Sequence, residues 1–168
     1  MTRPARRAPR IRALAVAGVL AVVPPALAGC GGQAQQVRDA GVYAERVNQV
    51  QARFERDLGT LNAAADRAED RRDVQTAVRR LSRRIDGVQA ELRAITPPAV
   101  AADPHARLIA AFGRWKAPLE AFRRALRDRD PRATLRAKSD FSTETTAVEQ
   151  QVNTAARQIN DRLRSLAD

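Results

Sequence analysis

Apolar residues recur at spacings of three and four along four separate stretches, each bounded by polar or helix-breaking residues. The first stretch runs through Val37, Ala40, Tyr43, Val47, Val50, Phe54, Leu58, Leu61 and Ala65, and the second through Val74, Val78, Leu81, Ile85, Val88, Leu92 and Ile95. The third comprises Leu108, Phe112, Trp115, Leu119, Phe122 and Leu126, and the fourth Phe141, Thr145, Val148, Val152, Ala155, Ile159, Leu163 and Leu166. On a helix this spacing gathers each set onto one face, close to a heptad pattern, so each stretch predicts an amphipathic helix.

The breaks between the stretches carry their own chemistry. Thr96-Pro97-Pro98 ends the second helix, because a proline disfavours helical geometry in the residue before it. Asp103-Pro104 and Asp130-Pro131 each predict an N-cap followed by proline at the first helical position. The stretch around 63–73 holds neither Gly nor Pro; Asp70 is the expected cap there, and one bent rod through helices one and two is the alternative. Pro118 falls inside the third stretch, where it removes a backbone N–H and clashes with the carbonyl of Arg114, predicting a kink. Short connections make consecutive helices antiparallel. The expected fold is therefore all-α, an up-down four-helix bundle over residues 36–168, with a long helical hairpin or a coiled-coil dimer as alternatives. The first and fourth helices are the longer, and their surplus is expected to form a two-helix stalk at the amino-terminal end.

The first 30 residues follow a different pattern. Arg3, Arg6, Arg7, Arg10 and Arg12 precede an apolar run over 13–27, which ends in the small residues Ala28 and Gly29. That is the layout of a secretory signal. A membrane-spanning helix needs ~20 apolar residues, and this run is shorter and is broken by Pro24-Pro25. Leu27-Ala28-Gly29-Cys30 resembles the lipobox of bacterial lipoproteins. The resemblance implies that the Cys30 sulfur takes a diacylglycerol, that the leader 1–29 is cut away, and that Cys30 becomes the first residue. Residues 30–35 would then be a short lipidated tether, and the protein a lipid-anchored one on the extracytoplasmic face of the cell membrane. Two or more acyl chains such as palmitate, at ~0.8 kcal/mol per buried methylene, make a stable anchor.

Composition narrows the remaining chemistry. The hydrophobic fraction is 44% but the aromatic fraction only 4%, so the core is built mostly from Ala, Val, Leu and Ile, which favours helices over sheets. The net charge of +11 looks like a nucleic-acid signal until the leader is set aside; beyond Gly29 there are 25 basic and 19 acidic residues. Lys116 and Lys138 are the only lysines, an arginine bias that a GC-rich genome produces without selection for binding. With an extracytoplasmic location and no aromatics among the arginines, nucleic acid is not an expected partner. The densest basic run, Arg79-Arg80 with Arg83-Arg84, is the candidate surface for an anionic lipid, a wall polymer or an acidic envelope protein. Glu69, Asp70, Asp73, Asp86 and Glu91 lie near it in sequence, so a solvated, partly neutralised face is the plain alternative.

Catalysis and cofactors are mostly removed by counting. His105 is the only histidine, Met1 the only methionine and Cys30 the only cysteine. A two-ligand haem site, a zinc site of Cys and His, a disulfide and the paired Glu-x-x-His ligands of di-iron bundles are all excluded within one chain. No Gly-rich phosphate loop and no Gly-x-Ser-x-Gly elbow is present, and no catalytic, metal or cofactor residue is assigned. Asp140 and Glu144 are four apart, which is ordinary on a solvated helix. His105 is expected to cap or pack, with a ligand role as the lesser alternative. The kink at Pro118 beside Trp115, with His105 nearby, is the candidate groove for a small apolar ligand.

Tyr43, Val47-Asn48, Gln51 and Phe54, followed by Pro97-Pro98 and by His105 before a helix, resemble the pattern of a group of helical lipoproteins from GC-rich actinobacteria. The resemblance covers most of the mature chain, implies a location and a fold, and supplies no activity. The expected function is a non-enzymatic, membrane-anchored helical module that binds or scaffolds something in the cell envelope, with a small-ligand carrier as the alternative.

Overall fold

A computed structural model describes residues 31–67, 70–128 and 130–166. The leader and the lipobox residues Leu27, Ala28, Gly29 and Cys30 lie outside the described residues, as does Glu69. The described chain is an all-α bundle: α1 (Gly31–Asp66), α2 (Arg71–Arg93), a 3-10 turn (Ala99–Ala101), α3 (Ala102–Arg114), α4 (Lys116–Asp128) and α5 (Pro131–Arg164). α3 and α4 together form the third rod of a four-helix bundle. α1 packs on α2, α2 on α3 and α4, and both of these on α5.

Cross-helix contacts fix the directions. Arg53 of α1 meets Glu91 of α2, while Asp57 further along α1 meets Arg84 further back on α2, so this pair is antiparallel. Tyr43 meets His105 and Phe54 meets Phe112, which makes α1 and α3 parallel. Arg107 meets Gln158 and Arg114 meets Glu144, which makes α3 and α5 antiparallel. The up-down order expected from the short connections is the one observed.

Two of the expected caps are in place. Asp70 Oδ1 accepts the backbone N–H of Arg72 and Asp73 at 2.7 and 3.0 Å, so α1 and α2 are separate helices. Asp130 Oδ1 accepts from Arg132 and Ala133 at 2.8 and 3.1 Å, with Pro131 opening α5. Such caps contribute ~1 kcal/mol each. Asp103 does not cap α3. The 3-10 turn runs straight into the helix, Ala102 N–H bonds to the Ala99 carbonyl, and α3 has already begun at Ala102.

Three further expectations change in form. The third rod is interrupted at Trp115, between α3 and α4, one turn before Pro118. The missing N–H of Pro118 is the one that would bond to the Arg114 carbonyl, and restarting the helix at Lys116 moves proline into a first turn, where its N–H is not needed. Residues 31–35 are helical from Gly31 onward, part of α1 itself. The surplus length lies on α1 alone: residues 32–36, 38 and 39 are exposed, Val37 is half-buried and burial begins at Ala40. α5 spans the 3-10 turn, α3 and α4 together, so the overhang is a single helix of about 14 Å at 1.5 Å per residue.

The core follows the four stripes. Val47, Val50, Phe54, Ile85, Val88, Leu92, Leu108, Phe112, Val148, Val152 and Ile159 are all essentially inaccessible to solvent. Phe54 sits at its centre, with its ring 5.1 Å from Phe112, edge to face, and 5.5 Å from Trp115.

Candidate functional site

The arginine run on α2 divides once the helix is packed. Arg84 turns toward α1, where its Nε is 2.5 Å from Asp57 and its Nη1 is 2.7 Å from Glu91. Glu91 also receives Arg53 at 2.7 Å. Partial burial pulls the Glu91 carboxyl upward, but the hydrogen bonds and charges of Arg84 and Arg53 outweigh it and hold the group below the usual carboxylate range. Arg84 therefore ties α1 to α2. Arg79, Arg80 and Arg83 are exposed on the outer face of α2, with no acidic partner among the described residues; Arg79 donates to the hydroxyl of Thr76, one turn back. Asp86, expected to temper the run, is held instead by Lys116 of α4 at 2.6 Å. The three exposed guanidiniums, unpaired with any carboxylate among the described residues, can receive phosphate or carboxylate groups with two-point geometry.

His105 is a structural joint. It is buried at 4% exposure, with Nε2 3.0 Å from the Leu92 carbonyl and Nδ1 3.0 Å from the Tyr43 hydroxyl. The Leu92 carbonyl can only accept, so Nε2 carries a proton, and in the neutral ring this leaves Nδ1 to accept from the Tyr43 O–H. Burial holds the imidazole below its ordinary pKa, partly opposed by the bond to Leu92. The same burial pushes the Tyr43 phenol up, so it remains an O–H donor. This one hydrogen-bonded chain joins α1, α3 and the end of α2.

Trp115 occupies the break between α3 and α4. Its ring packs against Phe54 and Phe112, and it is 3% exposed. Its Nε1–H is buried without a hydrogen-bond partner among the described residues. Pro118 is half-buried one turn away, and His105 lies in the second turn-length of α3, hydrogen-bonded on both sides.

A cleft of about 460 Å³, not anticipated from the sequence, lies between the 3-10 turn, the start of α3 and the carboxyl end of α5. Its walls carry Asp103, Arg107, Gln158, Asp161 and Arg162, with Val100 and Pro104 as an apolar edge. Among the described residues no group of three His, Cys, Asp or Glu side chains is placed to hold a metal, and no helix is long and apolar enough to cross a membrane. Comparison with protein-family models, curated proteins and solved structures gives no match to this chain.

Proposed function

We propose that the chain is a non-enzymatic lipoprotein, anchored through acylated Cys30 to the extracytoplasmic face of the cell membrane, that presents a helical surface to an anionic partner in the envelope. The observation that carries this reading is continuity: the lipobox-like Leu27-Ala28-Gly29-Cys30 is followed directly by α1 from Gly31. An acyl group at Cys30 then holds a folded bundle at a short, fixed distance from the bilayer. The exposed Arg79, Arg80 and Arg83 are the contact, and Arg84 is not, since Asp57 and Glu91 neutralise it. The test is made in a bacterial host fed an alkyne fatty acid. The wild-type chain is expected to take the label and to fractionate with membranes, and Cys30→Ser to do neither. Label on Cys30→Ser, or its absence from the wild type, overturns the anchor. Replacing Arg79, Arg80 and Arg83 with Gln is expected to abolish capture of wall polymer at moderate salt while leaving the label intact; unchanged capture removes the arginine contact.

A second reading, a carrier of a small apolar ligand, is favoured by one observation: the buried Trp115 Nε1–H lacks an acceptor, and leaving such a donor unpaired costs ~1–3 kcal/mol. A ligand with an acceptor atom at the α3–α4 break satisfies it. That reading expects Trp115 fluorescence to shift when the protein meets an envelope lipid extract, and a flat response disposes of it.

A further inference from the structure

The cleft at the end of the bundle brings charges of both signs onto one wall. Arg107 and Arg162 supply two guanidiniums; Arg107 Nη1 uses one donor on Gln158 Oε1 at 2.9 Å, and Arg162 has no acidic partner among the described residues. Opposite in sign are Asp161, which Arg164 partly neutralises at 3.5 Å, and Asp103, which has no basic partner among the described residues. Val100, at 37% exposure, and Pro104 give the cleft an apolar edge. A simple anion entering here meets Asp103, and a simple cation meets two arginines. A ligand carrying a phosphate and an ammonium a few bonds apart satisfies both.

We infer that this cleft binds a phosphodiester linked to a primary ammonium, the chemistry of a phosphoethanolamine headgroup. The phosphate sits on Arg107 and Arg162, the ammonium on Asp103, and the glycerol edge against Val100 and Pro104. The cleft is at the same end of the bundle as the start of α1. The Tyr43–His105 bond sets α1 beside α3 there, about 18 Å along the helix from Gly31. A bilayer lipid is therefore one source of the group and a soluble phosphoethanolamine compound the other. The assignment deepens the reading above, and rests on it only for the bilayer as source.

The experiment uses the lipidated protein in an uncharged sugar detergent and follows the Nε–H NMR signals of Arg107 and Arg162 and the backbone amide signals of Asp103, His105, Ala106 and Arg107. Glycerophosphoethanolamine is expected to shift them saturably, with glycerophosphocholine and glycerol 3-phosphate each roughly tenfold weaker, the loss of one charge-assisted contact. Arg107→Gln with Arg162→Gln loses the response. Asp103→Asn keeps binding of glycerol 3-phosphate and loses the preference for ethanolamine. All three residues are on the surface, and an unchanged Trp115 emission spectrum verifies that the variants are folded. No shift, the same shift in the double Gln variant, or equal affinity for glycerol 3-phosphate overturns the assignment. Phosphatidylcholine nanodiscs with and without phosphatidylethanolamine separate the sources: shifts that appear on adding the lipid assign the bilayer, and their absence alongside a response to the soluble headgroup overturns it as the source. The acyl mass on Cys30 is read in the same preparation, so a failure of the cleft and a failure of the anchor are distinguishable.

Discussion

The two ends of the bundle are built differently. From the middle of the bundle to the end where α1 and α3 begin, Ile85, Val88, Leu92, Leu108, Val148 and Ile159 have no exposed surface, and Tyr43, Phe54, Phe112 and Trp115 supply most of the aromatic area; Ile95 keeps 8% exposure there, and Ile109 and Leu163 are half-buried. At the opposite end Val78, Ala125, Ala137 and Phe141 keep a little exposure, and Leu61, Val74, Leu81 and Phe122 are only half-buried. Among the described residues the aromatic contact there is the stacked pair Phe122–Phe141 at 6.5 Å. Polar groups follow the same division. The near end carries the buried Tyr43–His105–Leu92 chain and the bond from Gln89 Nε2 to the Ile109 carbonyl at 3.0 Å. The far end relies on longer bonds from Gln75 to Leu126 and from Thr134 to Ala125, and on the caps Asp70 and Asp130. A chain with few aromatics has placed Phe54, Phe112 and Trp115 at the centre of the bundle and Tyr43 nearer the start of α1, leaving the far end to be held by caps, aliphatic contacts and the Phe122–Phe141 pair.

Core truncation separates the ends most strongly. Phe54→Ala is expected to cost ~3–5 kcal/mol, the range for a fully buried Phe, and half-buried Phe122→Ala about half as much, both read as shifts of the urea midpoint at unchanged slope. A larger loss for Phe122 reverses the comparison. Next in size is Tyr43→Phe, which leaves His105 Nδ1 buried without a donor and is expected to cost ~1–3 kcal/mol.

The same joint gives the near end a pH dependence. The folded imidazole is held below the unfolded value near 6.5, so between the two the unfolded chain binds a proton that the folded chain does not. Stability is full above about pH 6.5 and falls as the pH drops from there toward the folded value. His105 is the only histidine, so His105→Asn is expected to flatten this limb in urea titrations at pH 7.5, 6.5 and 5.5. A limb that survives the substitution assigns it elsewhere.

The smallest contrast is between two glycines. Gly59 of α1 is exposed, and a Cβ there meets nothing within 4 Å, so Gly59→Ala is expected to raise stability by about 0.5–1 kcal/mol through helix propensity. A Cβ at Gly113 of α3 lies 2.9 Å from Gln89 Nε2, which is already committed to Ile109, so Gly113→Ala is expected to lower stability by a similar amount. Equal effects of the two substitutions contradict the tighter near end.

How far the sequence reaches follows from the range of each interaction. The four stripes, the caps Asp70 and Asp130 and the fault caused by Pro118 are local, and all are legible from spacing. The fault appears a turn earlier than Pro118 itself because proline acts on the carbonyl four residues back. The role of Arg84 is half legible: Glu91, seven residues on, lies on the same face, but Asp57 is on another helix. Tyr43 and His105 are 62 positions apart, and nothing in the spacing of either predicts that they meet. Gln89 against Gly113, and the cleft formed by residues 99–107 with 158–162, depend on the axial register between helices, which the periodicity of one helix does not contain.

Native-state hydrogen exchange, residue by residue along all five helices, tests the difference between the ends most directly. Amides of Val47–Phe54, Ile85–Leu92, Leu108–Phe112 and Val152–Ile159 are expected to exchange only through global unfolding, with Val74–Val78, Phe122–Leu126 and Ala137–Phe141 opening at lower free energy. Uniform protection along the bundle, or slower exchange at the far end, contradicts the account.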